Sequence, residues 1–160
     1  MILKGITFED FVNYKKPSMY LAFPKCTLKC EKKANCPGMC QNHTLLSEPD
    51  IDINANELVS TYMNDPLIES VVCAGMDPID SLDDLCEFIT AFRKRTDEDI
   101  VIYTGYDKNE ILPAVEQLKS IAKKNLIFKF GAYIPGQEPH YDKVLGIKLA
   151  SDNQYGEQIC

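Results

Sequence analysis

Short apolar runs alternate with segments of helical spacing along most of this chain, and that alternation limits the possible folds more than any other feature. Four apolar runs predict strands, at residues 19–23, 70–74, 100–104 and 126–130, with a last strand over 144–149. Helices are predicted between them, over 56–64, from Ser81 onward and over 111–122. Strands that alternate with helices favour a largely parallel sheet. The predicted fold class is therefore α/β in one domain over residues 1–160, either a partial (β/α) barrel or an open, mostly parallel sheet.

Helix starts and the chain end carry local signals. Ser81 with Asp84, and Asp107 with Glu110, have the three-residue spacing of a helix-capping box. Residues 151–160 are polar and show no clear period, which predicts a loop or a disordered tail.

Charge and hydropathy exclude several classes of protein. Asp and Glu number 24 against 17 Lys and Arg, so the net charge is −7. An acidic chain argues against a nucleic-acid partner, because phosphate binding needs clustered Lys and Arg. No apolar run approaches the roughly 20 residues of a membrane span, and the N-terminus lacks the pattern of a secretory signal. A cytoplasmic protein with no membrane partner is expected.

Four of the seven cysteines fall in one polar segment, residues 24–44, which is predicted to be a long loop. They are Cys26, Cys30, Cys36 and Cys40. In a reducing compartment, clustered cysteines more often bind metal or act in redox chemistry than form disulfides. Four thiolates suit an iron–sulfur cluster, and two pairs with this spacing suit structural zinc equally well.

Two glycine-containing turns follow predicted strands. Gly75–Pro78 (GMDP) comes directly after one strand, and Tyr103–Tyr106 (YTGY) lies at the end of the next. In parallel α/β sheets, ligands collect at the carboxyl ends of the strands. The cysteine loop would lie at the same edge, so the sequence predicts a site where the three segments meet.

Together these residues resemble the radical SAM superfamily, and in particular the activating proteins of anaerobic ribonucleoside-triphosphate reductases. Cys26-x3-Cys30 matches the first two cysteines of that family's CxxxCxxC motif, and Cys40-Gln-Asn42 resembles its third cysteine and the Asn that follows. The segment 75–78 resembles the Gly-Gly-Glu/Asp-Pro segment, 103–106 matches Tyr-Thr-Gly-Tyr, and 151–154 (SDNQ) resembles Ser-Ser-Asn-Gln.

The resemblance implies two cofactors, a [4Fe–4S] cluster and S-adenosylmethionine. The implied cluster ligands are Cys26, Cys30 and Cys40, with Cys36 as the alternative third ligand. Two residues separate the second and third cysteines in the family, whereas five separate Cys30 from Cys36 and nine separate Cys30 from Cys40. The implied contacts to S-adenosylmethionine are Met39, Asn42, Gly75, Met76, Asp77, Pro78, Tyr103, Thr104 and Gly105.

The implied function is reductive cleavage of S-adenosylmethionine to a 5′-deoxyadenosyl radical. That radical would generate a glycyl radical on an anaerobic ribonucleotide reductase, with a flavodoxin- or ferredoxin-like protein as electron donor. Two alternatives remain open: a radical SAM enzyme with another protein or a small molecule as its target, and a non-catalytic zinc-binding interaction module. Zinc explains the paired cysteines but not the order of the other motifs.

Overall fold

The computed structural model describes residues 1–160. The strands are Ile2–Leu3 (β1), Gly5–Asp10 (β2), Ser18–Phe23 (β3), Ile51–Asp52 (β4), Ser70–Gly75 (β5), Asp99–Tyr103 (β6), Leu126–Phe130 (β7), His140–Asp142 (β8), Ile147–Leu149 (β9) and Tyr155–Gln158 (β10). The α-helices are Lys29–Ala34 (α1), Ala55–Met63 (α2), Leu82–Arg93 (α3) and Leu112–Ala122 (α4), and short 3₁₀ helices span His43–Leu46, Pro78–Ser81 and Lys108–Glu110.

Six strands form the central sheet, in the order β10-β7-β6-β5-β3-β2. The inner four strands, β3, β5, β6 and β7, are parallel to their neighbours in this set, and the edge strands β2 and β10 are antiparallel. The carboxyl ends of four strands therefore lie along one edge of the sheet. β1 pairs with β4, and β8 pairs with β9, in two separate two-stranded sheets.

The two faces of the sheet are covered differently. On one face, residues of α2, α3 and α4 pack against alternate strand residues in a core of 25 buried side chains. The other face carries a smaller cluster of seven, in which Tyr14, Leu145 and Leu149 come from segments outside the helices. Because no helix contributes to this second cluster, the second face is left with room for a cleft.

The helix starts differ in part from the capping prediction. Asp107 and Glu110 do form a capping box. Ser81 and Asp84 do not, because the Ser81 hydroxyl makes no cap hydrogen bond and the Asp84 carboxylate instead accepts from the main-chain N–H of Ile2 at 3.2 Å. A 3₁₀ turn precedes α3.

The chain end is ordered as a strand, so the prediction of a loop or disordered tail is wrong. β10 pairs along its length with β7. Its side chains are only partly buried, so the apolar alternation that marks a strand in sequence is missing. The strand predicted over 144–149 is shorter, since β9 covers only its last three residues and joins β8 rather than the main sheet. The segment 24–44 likewise contains α1 within its predicted loop.

The length and hydropathy of the helices bear on whether one of them could span a membrane. None of the helices combines the length and the apolar composition needed to cross a bilayer.

The Arg93 side chain hydrogen-bonds several chain segments together at the edge of the sheet opposite the predicted site. The Arg93 guanidinium, at the end of α3, donates to five main-chain carbonyl oxygens at 2.8–3.4 Å. These carbonyls belong to the end of α4 and to the segments that lead into β6 and β7, namely those of Thr96, Glu98, Ala122, Lys124 and Asn125.

We expect Arg93→Met to lower the free energy of unfolding by about 2 kcal/mol or more, because it keeps the aliphatic stem but removes charge-assisted hydrogen bonds. Urea denaturation of the metal-free protein measures this. The exposed neighbour supplies the control, since Lys94→Met should change stability by no more than about 0.5 kcal/mol. Equal effects of the two substitutions would contradict the role given to Arg93.

Candidate functional site

A cleft of about 290 Å³ lies at the carboxyl ends of the strands and extends over the second face of the sheet. That volume is near the lower end of the range for small-molecule sites, roughly 300–1,000 Å³. The cleft is lined by nearly all the residues predicted for the site: Cys26, Cys30, Met39, Cys40, Asn42, Gly75, Met76, Asp77, Tyr103, Thr104 and Gly105. Three separate segments therefore meet, as the parallel topology requires.

Two predicted residues lie outside the cleft lining. Pro78 is buried and begins the 3₁₀ helix that leads into α3. Cys36 is exposed and does not line the cleft, whereas Cys26, Cys30 and Cys40 are half-buried and line it. The structure therefore distinguishes Cys40 from Cys36, which the spacing of the cysteines alone did not.

Two of the three thiols of the cleft, those of Cys26 and Cys30, have an environment that disfavours the bare thiolate. Burial raises the pKa of Cys26 to about 11, and nearby Asp77 and Asp80 act in the same direction. Burial also raises the pKa of Cys30, partly opposed by a main-chain hydrogen bond from Tyr133. Metal ligation requires deprotonated thiols and releases their protons. No three Cys, His, Asp or Glu side chains in the structure form a group that would hold a single metal ion.

Lysines hold the cysteine segment against the start of α4. Lys33 Nζ lies 2.8 Å from an Asp107 carboxylate oxygen and 2.9 Å from one of Glu110, and Lys29 Nζ lies 2.9 Å from the other Glu110 oxygen. Hydrogen bonds from Lys33 lower the pKa of Glu110 to about 2. Lys29 Nζ also lies 3.6 Å from the centre of the Tyr106 ring. α1 has no buried residue, so polar contacts rather than core packing fix this part of the segment.

Glu31 organises the stretch that carries Cys40. One of its carboxylate oxygens accepts from the Cys40 main-chain N–H and faces His43 Nδ1, each at 3.3 Å. The pKa of Glu31 is lowered, chiefly by a hydrogen bond from the main chain of Gly38 and also by those from Cys40 and His43. The loop is thus folded back on the residue that follows Cys30.

The Asp77 carboxylate connects the ends of two strands. It accepts from the Gly105 N–H at 3.0 Å, from the Thr104 hydroxyl at 3.0 Å and from the Ile79 N–H at 3.1 Å. The Asp77 main-chain N–H donates to the carbonyl of Lys25, just after β3, at 2.9 Å. Burial raises the pKa of Asp77 to about 6, and its three donors partly oppose that rise.

Two glycines allow close approaches at the same edge. Gly75 has φ +87°, and a Cβ there would lie 2.6 Å from the Ala22 Cα atom, so a side chain is excluded by both conformation and space. The Asn42 side-chain amide donates to the Gly75 carbonyl at 2.5 Å, which links the cysteine segment to β5. At Gly105 a Cβ would lie 2.6 Å from the Cys30 Sγ atom. The Cys30 sulfur thus occupies space that only a glycine leaves open.

Sequence reasoning missed several residues of the cleft, above all Lys129. This side chain is 8% exposed, and its ammonium donates to the Gly131 carbonyl at 2.7 Å. Burial lowers the pKa of Lys129 to about 8. Its one signal in the sequence is a single charge inside the apolar run LIFKF. The other missed lining residues with polar groups include Asn13, Tyr20, Tyr133 and Gln154.

Asp77 gives the metal-free protein a defined pH dependence. Because the pKa of Asp77 in the folded protein is about 6, above the ordinary value of 3.8, the folded state binds a proton that the unfolded state releases. This contribution to stability grows as pH falls from 7 toward 4. Between pH 7 and pH 5 the wild-type protein should gain about 1 kcal/mol relative to Asp77→Asn. Denaturation of both proteins across that range measures the difference, and a constant difference would contradict the assignment.

Comparison with known proteins bears on what the cleft holds. The family described as "4Fe-4S single cluster domain" matches residues 18–141, well over half of the chain. No curated protein and no solved structure matches this chain.

Three thiols from one segment line one cleft, and Gly105 leaves space beside the sulfur of one of them. This donor set fits a cluster held by cysteine thiolates. The chain belongs to the 4Fe-4S single cluster domain family and is an iron–sulfur protein.

Proposed function

We propose that this protein is a radical SAM enzyme that generates a glycyl radical on an anaerobic ribonucleotide reductase. The observation that carries the proposal is a single cleft lined both by three cysteines of one segment and by two glycine-containing turns at strand ends. A cluster site alone would not need the turns, and a zinc module would not need the cleft.

Cys26, Cys30 and Cys40 would hold the cluster, which leaves one of its four irons without a protein ligand. A reduced [4Fe–4S] cluster held there would supply one electron to the sulfonium of bound S-adenosylmethionine, whose carbon–sulfur bond would break to give methionine and a 5′-deoxyadenosyl radical. The protein's task is to position the two groups and keep water away from them.

The residues of the cleft suit the charged parts of S-adenosylmethionine. The main-chain carbonyl oxygens of Gly75 and Met76 would accept from its amino group. The Gly75 carbonyl already accepts from the Asn42 amide and keeps a second lone pair for this contact. The buried Lys129 ammonium is suited to its carboxylate, since a desolvated cation gains most from an opposite charge. Met39 supplies a polarisable contact for the adenine ring.

The choice of a reductase as target is supported by the motifs at 103–106 and 151–154. The second motif has a structural role at the cleft. The Ser151 hydroxyl accepts from the Ile134 N–H at 2.9 Å, and the Gln154 side chain caps the main chain of residues 150 and 151 at 3.2 Å. Gln154 itself lines the cleft.

Anaerobic reconstitution tests the proposal. Iron and sulfide analysis would be followed in the same tube by dithionite, S-adenosylmethionine and chromatography for 5′-deoxyadenosine. About four irons per chain with 5′-deoxyadenosine formed is the expected result. Zinc without an iron chromophore, or a cluster that never cleaves S-adenosylmethionine, would overturn it.

Single alanine substitutions identify the ligands. Cys26→Ala, Cys30→Ala and Cys40→Ala should each lose most of the reconstituted iron and all 5′-deoxyadenosine formation. Cys36→Ala is the matched control from the same segment. It should keep both, because Cys36 is exposed and does not line the cleft. Loss of iron in Cys36→Ala with retention in Cys40→Ala would reverse the assignment.

Lys129→Met separates cofactor binding from cluster binding. We expect iron content to be unchanged and KM for S-adenosylmethionine to rise by about ten- to a hundredfold, as loss of a charge-assisted hydrogen bond predicts. Steady-state formation of 5′-deoxyadenosine measures KM. Lys148→Met is the control, since Lys148 also lines the cleft but is exposed. Equal KM values for the two variants would contradict the assignment of Lys129 to the carboxylate of S-adenosylmethionine.

A further inference from the structure

A rigid turn presents two apolar side chains to solvent beside the cleft. Phe11 is 63% exposed and Val12 is 74% exposed. The turn is held by the buried carboxylate of Asp10, which accepts from the Val12 N–H at 3.2 Å, the Asn13 N–H at 3.3 Å and the Asn13 side-chain amide at 3.0 Å. Adjacent exposed apolar side chains on an ordered turn are typical of contact sites for another molecule.

This turn belongs to the rim of the cleft. Asn13 lines the cleft, and its carbonyl accepts from the Tyr103 hydroxyl at 2.5 Å. Lys15, two residues after Asn13, makes hydrogen bonds to the segment before β9. Its main-chain N–H donates to the Leu145 carbonyl and its Nζ donates to the Val144 carbonyl, both at 2.9 Å. β9 continues the rim, because residues 147–150 line the cleft as well.

The exposed charges of this rim are mainly positive, because the carboxylates of Asp10 and Asp142 accept main-chain N–H groups and are not fully exposed. Within residues 9–15 and 141–148, the exposed charged side chains are Lys15, Lys143, Lys148 and Glu9. None of the three lysines is in an ion pair. Lys15 Nζ donates to the Val144 carbonyl and lies 5.4 Å from the centre of the Tyr14 ring. The chain as a whole carries −7. Three exposed lysines without ion pairs, beside one exposed carboxylate, favour a partner that brings acidic side chains to this rim.

We propose that the Phe11–Val12 turn, together with Lys15, Lys143 and Lys148, is the docking surface for the protein substrate. The surface would receive a segment that combines apolar side chains with Asp or Glu and would direct the neighbouring target residue into the cleft. This inference rests on the proposed function. The apolar contact is small, which suits a complex that must dissociate after each activation.

The test compares Phe11→Glu/Val12→Glu with the wild-type protein in two assays. The first follows 5′-deoxyadenosine formation with dithionite and no protein substrate. The second follows the glycyl-radical signal, by electron paramagnetic resonance, on the purified anaerobic ribonucleotide reductase of the same organism. We expect the double variant to stay within about twofold of the wild-type protein in the first assay and to lose about tenfold or more in the second.

Two further variants sharpen the test. Met63→Glu adds a charge at an exposed apolar position at the end of α2, and it should behave as the wild-type protein in both assays. Lys15→Glu/Lys143→Glu should lower the radical yield and weaken its dependence on salt, since screening acts on the charge attraction.

The outcomes separate the two proposals. If the wild-type protein forms no 5′-deoxyadenosine, the proposed function fails and this inference fails with it. If it forms 5′-deoxyadenosine but no radical on the reductase, the proposed target is wrong and this inference fails with it. If the double variant activates the reductase as well as the wild-type protein does, the docking surface alone is wrong. Light scattering that shows a wild-type dimer and a monomeric double variant would assign the turn to contacts between copies and would also overturn the inference.

Discussion

A buried carboxylate at the end of β5 is the constraint from which the geometry of the cleft follows. Asp77 takes three hydrogen bonds from the turns after β5 and β6, and its own N–H binds the chain after β3. Burial of a carboxylate is costly unless donors surround it, so these turns hold one another in place. Gly105 is held there, and the Cys30 sulfur packs against it. The backbone that surrounds the cofactor site is thus fixed by an interaction that leaves the thiols uncommitted.

The main hydrophobic core and the cleft lie in different parts of the fold. Helices cover one face of the sheet, and Arg93 fastens that layer at the edge away from the cleft. The other face is covered only by the short chain segments around Tyr14 and Leu145. Parallel strands bring their carboxyl ends to one edge, where loops gather and can vary without disturbing the core. The cleft is thereby formed by one sheet and the segments at its edge.

Sequence reasoning succeeded where topology decided the outcome. Strand ends at Gly75 and Thr104 had to share an edge once the sheet was parallel. It failed where contacts between distant parts of the chain determine the structure. The polar segment β10 is a strand because its main chain hydrogen-bonds to β7. The spacing of the cysteines did not separate Cys36 from Cys40, since the fold of the loop depends on Glu31. A single lysine in an apolar strand could equally have faced solvent, and only packing shows that Lys129 is buried.

The cysteine segment has a thermodynamic consequence. α1 buries no side chain, and its ion pairs with Asp107 and Glu110 are partly exposed, so each contributes little. Ordering a residue costs about 1 kcal/mol or more, and in α1 no buried side chain offsets that cost. In the proposed enzyme, binding of the cluster by this segment would supply much of the free energy that orders it. Cluster affinity and segment order are accordingly one linked equilibrium, in which substitutions in the loop change metal occupancy rather than the stability of the sheet.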